Sequence, residues 1–231
     1  CIALAELAGA PLYVVHVSAA ETVEEIAAAR ARGLPVHGET CPQYLFLDAS
    51  CYEHEGERFV MSPPLRDRRA QDRLWRALVA DELEVVATDH CPFRRADQAG
   101  RADFTRIPGG APGIETRMSL LFDGAVHGGR FAIERFVEVT ATNPAKLFGL
   151  YPRKGVLAPG ADADIVIWDP ERAVSLDAAA LHMRVDHSPY EGRTVRGGAQ
   201  TVLLRGTPVI RDGVFVGRAG AGRFLRRDPR R

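Results

Sequence analysis

The sequence predicts an α/β chain of parallel strands and helical crossovers, followed by a smaller part made of short strands. Three observations carry this expectation. β-rich runs at residues 12–17, 34–39 and 83–88 are separated by segments with helical spacing. The first run has almost no polar residue before His16, which suits a strand buried on both faces of a parallel sheet. After Tyr151-Pro152-Arg153 the pattern changes: Gly155, Pro159 and Gly160 break the chain and only short β runs follow.

Taken in order, Leu4, Leu7 and Ala8 fall on one helical face. With Cys1 in place of Met, the chain is expected to begin inside a helix, as a piece of a longer protein would. After the strand at 12–17, Ser18 and Glu21 have capping-box spacing for a helix through Glu24, Ile26 and Ala27 that stops near Gly33. A second strand at 34–39 leads into a long irregular stretch containing Met61-Ser62-Pro63-Pro64-Leu65-Arg66. Leu74, Trp75 and Leu78 form the apolar face of another helix. The third strand, 83–88, runs into Asp89-His90, and a loop at 91–113 follows. Helices are expected at 114–127, 133–140 and 144–150, then β runs at 164–168, 201–204, 209–210 and 214–216. Asp212-Gly213 between the last two is a hairpin signal. The expected division is an α/β part at 1–150 and a β part with the tail at 151–231.

Composition excludes several function classes. The chain has 231 residues, 46% hydrophobic and 26% charged, as an ordinary globular protein does. Lys plus Arg equals Asp plus Glu at 30 each, so no overall field attracts nucleic acid or anionic membrane. The basic stretch from Arg223 to Arg231 reads as a solvated terminus. No apolar run approaches the ~20 residues of a membrane span, and the start lacks the pattern of a signal peptide. Cys1, Cys41, Cys51 and Cys91 contain no CxxC pair, so free thiols in a reducing cytoplasm are expected.

Chemistry in a parallel α/β sheet collects at the C-terminal ends of strands. His16, Glu39 and Asp89 stand at such ends. His16 is either a hydrogen-bonded structural histidine or a metal donor. Asp89 needs a metal, an arginine or backbone amides to offset desolvation. His90, Cys91 and Cys41 match no structural zinc spacing, and Cys41 or Cys91 as a nucleophile beside His37 or His90 has little support. Ser62-Pro63-Pro64 reads as a rigid loop. Gly109-Gly110-Ala111-Pro112-Gly113 reads as a flexible one, with no Lys-Ser/Thr to make a phosphate loop. Asp162-Ala163-Asp164 reads as a turn.

Read together, the motifs change these odds. Tyr13-Val14-Val15-His16-Val17-Ser18, Gly38-Glu39-Thr40-Cys41-Pro42-Gln43-Tyr44-Leu45 and Ser62-Pro63-Pro64-Leu65-Arg66 come first. Thr88-Asp89-His90-Cys91-Pro92-Phe93, Asp103-Phe104-Thr105-Arg106-Ile107-Pro108 and Asn143-Pro144-Ala145-Lys146-Leu147-Phe148 follow. In this order and spacing, over nearly the whole chain, they resemble the dihydropyrimidinase/hydantoinase family of the amidohydrolases.

The resemblance implies a fold: the C-terminal part of a (β/α)8 barrel, about strands six to eight, followed by part of a small β-sandwich. It implies a hydrolase that opens hydantoins or dihydropyrimidines to N-carbamoyl amino acids with two divalent metals, zinc being expected. His16 matches the last metal histidine. Asp89 matches the aspartate that binds metal and moves the proton. Ser62 and Gly109 match positions that hold the cyclic amide, and relatives often carry Asn in place of Gly109. The parent is expected to be a cytoplasmic homotetramer acting on a small molecule, without nucleic-acid or membrane partners.

The family's remaining metal ligands have no counterpart. No HxH occurs, and the lysines are confined to Lys146 and Lys154, past the third strand, so the bridging carboxylated lysine is absent. The isolated chain is therefore expected to be an inactive fragment. Two alternatives stay open: a non-catalytic assembly protein of the same fold, and a subunit completed by a separate N-terminal polypeptide. Animal relatives of the non-catalytic kind generally lose the aspartate that Asp89 matches, which favours an enzyme.

Overall fold

The computed structural model describes residues 1–101 and 103–228; the end of the basic tail lies outside them. The chain forms two compact units, one from Cys1–Leu121 with Ser175–Arg193, the other from Phe122–Val174 with Thr194–Arg231.

The first unit opens with α1 (Ile2–Ala8), β1 (Leu12–Val14), α2 (Ala20–Ala31) and β2 (Val36–Thr40). It continues with α3 (Pro42–Phe46), α4 (Arg68–Val79), β3 (Val85–Val86), α5 (Arg95–Gln98) and α6 (Arg117–Leu121). The strands form one parallel sheet in the order β1-β2-β3, as the alternating pattern requires. Leu12 pairs with Val36 and Val14 with Gly38, while Glu39 pairs with Val85 and Thr40 with Val86. Val23 and Ile26 of α2 and Leu74 and Leu78 of α4 are fully buried, each contributing roughly 1.5–3 kcal/mol of apolar burial. Trp75 donates its indole N–H to the Leu45 carbonyl at 3.1 Å and meets Phe46 edge-on.

Several local expectations are corrected. The capping box does not form: α2 begins after Ala19, with no side-chain cap. Val17 is tied to β2 through its N–H to Glu39 O and its carbonyl to the Thr40 hydroxyl, so the helix starts later. β1 and β3 are shorter than the apolar runs, because His16 (φ 42°) and Asp89 (φ 47°) turn the backbone out of the extended region just beyond them. The apolar face of α1 is not covered within the chain: Leu4 and Leu7 are 70% and 86% exposed. The loop at 91–113 contains α5, four residues long, which nothing in its composition announced.

Residues 175–193 belong to the first unit although they follow a strand of the second. Tyr190, His187 and Ser188 are buried there. Arg95 N donates to Asp186 Oδ1 at 2.9 Å, Arg58 Nη2 to Ser188 O at 3.3 Å, and His182 Nδ1 lies 2.7 Å from Glu115 Oε1.

The second unit holds α7 (Ile133–Val137), α8 (Asn143–Leu147) and a sheet of β4 (Ile165–Ser175), β5 (Thr194–Leu204), β6 (Thr207–Arg211) and β7 (Val214–Phe215), in that order. The helices expected at 114–127 and 133–140 each widen into π-helical turns, Phe122–His127 and Glu138–Thr142. Phe122, Phe136 and Trp168 cluster with ring centroids 5.2 to 5.9 Å apart. The hairpin expected at Asp212-Gly213 is present: Arg211 pairs with Val214 across a turn with φ of 52° and 81°. Asp162 and Asp164 serve the turn reading, both ion-paired to Lys154.

Candidate active site

The parallel register sends three segments out at one edge of the first unit's sheet. His16 lies two residues beyond Val14, Glu39 and Thr40 end β2, and Asp89 lies three residues beyond Val86. His16 and Asp89 both hold the left-handed conformation, which residues with a Cβ adopt at a cost of roughly 1–2 kcal/mol. Such strain persists where surrounding bonds over-determine it, and they do. Val17 N donates to Glu39 O at 2.7 Å, the Thr40 hydroxyl to Val17 O at 2.7 Å, and Ala87 N to Thr40 O at 2.9 Å. On the far side of Asp89, His90 Nδ1 accepts from Gly113 N and Ile114 N at 3.1 and 3.3 Å. The neighbours are fixed, and among the described residues the side chains of His16 and Asp89 have no hydrogen-bond or ion-pair partner.

Ser62 and Gly109 repeat the pattern. Val60 O accepts from Gly110 N at 2.9 Å, Pro63 O from the Tyr44 hydroxyl at 2.9 Å, and Leu65 N donates to the Tyr52 hydroxyl at 2.8 Å. A Cβ on Gly109 would lie 3.7 Å from Met61 Cα and 3.9 Å from Ser62 N, so the two segments touch. Ser62 and Gly109 are exposed, and their main-chain groups and the Ser62 hydroxyl are unpaired among the described residues. Free polar groups between fixed neighbours are what a preorganised binding site requires.

The other candidates resolve differently. Glu39 is engaged: its Oε2 accepts from the Tyr13 hydroxyl at 2.6 Å. Burial first, then this bond, pushes the Tyr13 phenol up. Cys41 is fully buried, and burial pushes its thiol up, so it stays protonated and inert as a nucleophile. Cys91 is exposed, and Nδ1 of the adjacent His90 is already occupied by two backbone amides. Sequence reasoning missed Thr40 and Gln98. Thr40 is one hydroxyl in a strand, and Gln98 sits in a loop without periodicity, so neither carried a signal.

His16 and Asp89 supply an imidazole and a carboxylate, donors of the kind a divalent cation takes. Among the described residues no group of three or more His, Cys, Asp or Glu comes together. A structural or catalytic zinc needs at least three protein donors, so the residues present fit a metal centre in kind and not in number.

The amidohydrolase family matches residues 13–209. D-hydantoinase of Streptomyces coelicolor is 51% identical over 98% of this chain and 49% of its own length. D-phenylhydantoinase of Escherichia coli O1:K1 is 50% identical over 99% of this chain and 50% of its own. The crystal structure of dihydropyrimidinase from Brevibacillus agri superposes with a TM-score of 0.95 at 49% identity, over 98% of this chain and 50% of that one. The chain thus spans about half the length of the curated relatives it matches. The expected fold, part of a (β/α)8 barrel with part of a small β domain, is borne out by these superpositions together with the parallel and antiparallel sheets. With the family match covering most of its length, the chain belongs to the amidohydrolase family, on its dihydropyrimidinase and D-hydantoinase side.

Proposed function

We propose that this chain is the part of a cyclic-amide hydrolase that holds the ring and moves the proton, with the substrate class of hydantoins or dihydropyrimidines. The observation that carries the reading is that, among the described residues, the side chains of His16, Asp89 and Ser62 and the main chain of Gly109 have no hydrogen-bond partner, while Val17, His90, Pro63 and Gly110 beside them are bonded. Their residue types suit the reaction. The hydroxyl of Ser62 and the main chain of Ser62 and Gly109 offer donors and acceptors to a ring imide. The Asp89 carboxylate takes a proton from the attacking water and delivers it to the departing ring nitrogen, so one group serves as base and then as acid. By family resemblance the parent would hold two divalent ions, zinc being expected, with a carboxylated lysine from outside this chain among their ligands, and they would supply an activated water and carbonyl polarisation. His16 and Asp89 are the residues this chain would contribute to holding them. The product is an N-carbamoyl amino acid.

The reading assigns residues 1–150 to the barrel and 151–231 to the β domain and tail. It also implies a homo-oligomeric parent in a reducing compartment. The four cysteines are all free, and no helix among the described residues is long and apolar enough to cross a membrane.

The test is a chimera in which this chain replaces the matching 49% of the S. coelicolor D-hydantoinase. We expect it to open hydantoin, and the same chimera carrying Asp89→Asn to keep its fold and lose at least about a hundredfold in kcat. A folded, metal-loaded chimera without ring opening overturns the reading.

A further inference from the structure

We infer that Gln98 is the positioning residue that presents the main chain of Gly109 to the cyclic amide, an inference that rests on the reading above. Gln98 closes α5, and its side chain is almost completely buried, at 1% exposure. Its Nε2 donates to Pro108 O at 3.1 Å and to Gly110 O at 3.3 Å, the two carbonyls that flank Gly109. The amide orientation follows from these contacts, since an oxygen in that place would face two other acceptors. The opposite atom, Oε1, is buried without a partner among the described residues. Leaving an acceptor dry is unfavourable, and what the fold obtains in return is a grip on both sides of one exposed glycine.

Two further contacts fix the same loop. Gly110 N donates to Val60 O at 2.9 Å, and Gly110 lies so close to Cys91 that a Cβ there would meet Cys91 O at 2.5 Å. Among the described residues the Gly109 N–H and carbonyl are left unpaired, in a loop whose two neighbouring residues are both hydrogen-bonded. The anchor continues outward. Arg95, in the same four-residue helix as Gln98, is bonded through its N–H to Asp186 of the 175–193 segment at 2.9 Å. Gln98 therefore transmits the position of that segment to the loop, and Gly109 receives it as a fixed direction for its two main-chain groups.

Two variants separate this role from simple stability. Gln98→Met keeps the length and loses the donor; Gln98→Glu keeps the shape and sets a charge against two carbonyls. In the 231-residue chain, hydrogen exchange of the Gly110 amide is expected to speed at least about tenfold in Gln98→Met, with the Val86 and Gly38 sheet amides unchanged. In the chimera, KM for hydantoin is expected to rise about tenfold with kcat within twofold, and further in Gln98→Glu. Unchanged exchange at Gly110 overturns the inference. So does a fall in kcat and metal content with KM constant, which would place Gln98 at the metal side. A wild-type chimera that folds, loads metal and opens no hydantoin refutes the hydantoinase reading and the substrate role with it. In that case the exchange measurement still decides whether Gln98 holds the loop.

Discussion

The hydroxyl of Thr40 donates a 2.7 Å hydrogen bond to the carbonyl of Val17, the residue that follows His16. The Thr40 carbonyl in turn receives Ala87 N at 2.9 Å, two residues before Asp89. One buried threonine thus ties together the strand ends that carry both candidate metal ligands. Thr40→Val preserves its shape and leaves the Val17 carbonyl without this partner. The expected loss is about 1–3 kcal/mol, with Thr40→Ser losing less than half as much. Urea unfolding midpoints check this; equal midpoints for the two variants would show that the hydroxyl contributes nothing.

Gly109 and Gly110 are adjacent and predict opposite outcomes. A Cβ on Gly109 meets atoms no closer than 3.7 Å, an ordinary contact, so Gly109→Asn should change stability by no more than about 0.5 kcal/mol. A Cβ on Gly110 meets Cys91 O at 2.5 Å with φ at 156°, and backbone cannot retreat cheaply. Gly110→Ala should lose about 1–3 kcal/mol. Thermal melts of the two variants side by side decide the matter, and similar shifts would refute the difference.

The Asp212-Gly213 turn makes a local prediction in the second unit. Gly213 has φ of 81° and Asp212 of 52°. Alanine at 213 resists that conformation by roughly 1–2 kcal/mol, whereas Asp212→Asn should be neutral, since Asn tolerates it. The readout is the denaturation midpoint of that unit. No change in Gly213→Ala would mean that the hairpin shifts to another turn at no cost.

Acid should weaken the fold partly through Asp48. The Ser50 hydroxyl, followed by its backbone N–H and the Arg68 guanidinium, holds the Asp48 carboxyl below its usual range. A depressed folded pKa contributes stability that is present above the unfolded value near 4 and is lost as pH falls through the folded one. Asp48→Asn should melt earlier than the parent at pH 7 and show a flatter decline as pH falls below about 4. Parallel melting curves over that range would show that Asp48 carries none of the acid sensitivity.

How far the sequence reaches can be judged from particular residues. The β-rich runs at 12–17, 34–39 and 83–88 marked the parallel sheet, because strands buried on both faces must be apolar over their whole length. Asp212-Gly213 marked its hairpin, because the turn's positive φ values select those residue types. The placement of His16 and Asp89 at strand ends was legible, since strand direction follows from the same pattern, while the left-handed turns that put them beyond β1 and β3 were not. Capping at Ser18 was legible and did not form, because bonds from β2 to Val17, far away in sequence, compete for that stretch of chain.

The sequence by itself determined the three parallel strands, the helices between them, the later β part and which polar residues stand at the strand ends, all consequences of local pattern and burial. Only the tertiary structure decided which of those residues stay unpaired. That depends on bonds between distant segments: Thr40 with Val17, His90 with Gly113, and Gln98 with Pro108 and Gly110. Such bonds spend the hydrogen-bonding capacity of nearby residues and, among the described residues, leave the side chains of His16, Asp89 and Ser62 and the main chain of Gly109 with theirs, a distribution that no spacing along the chain encodes.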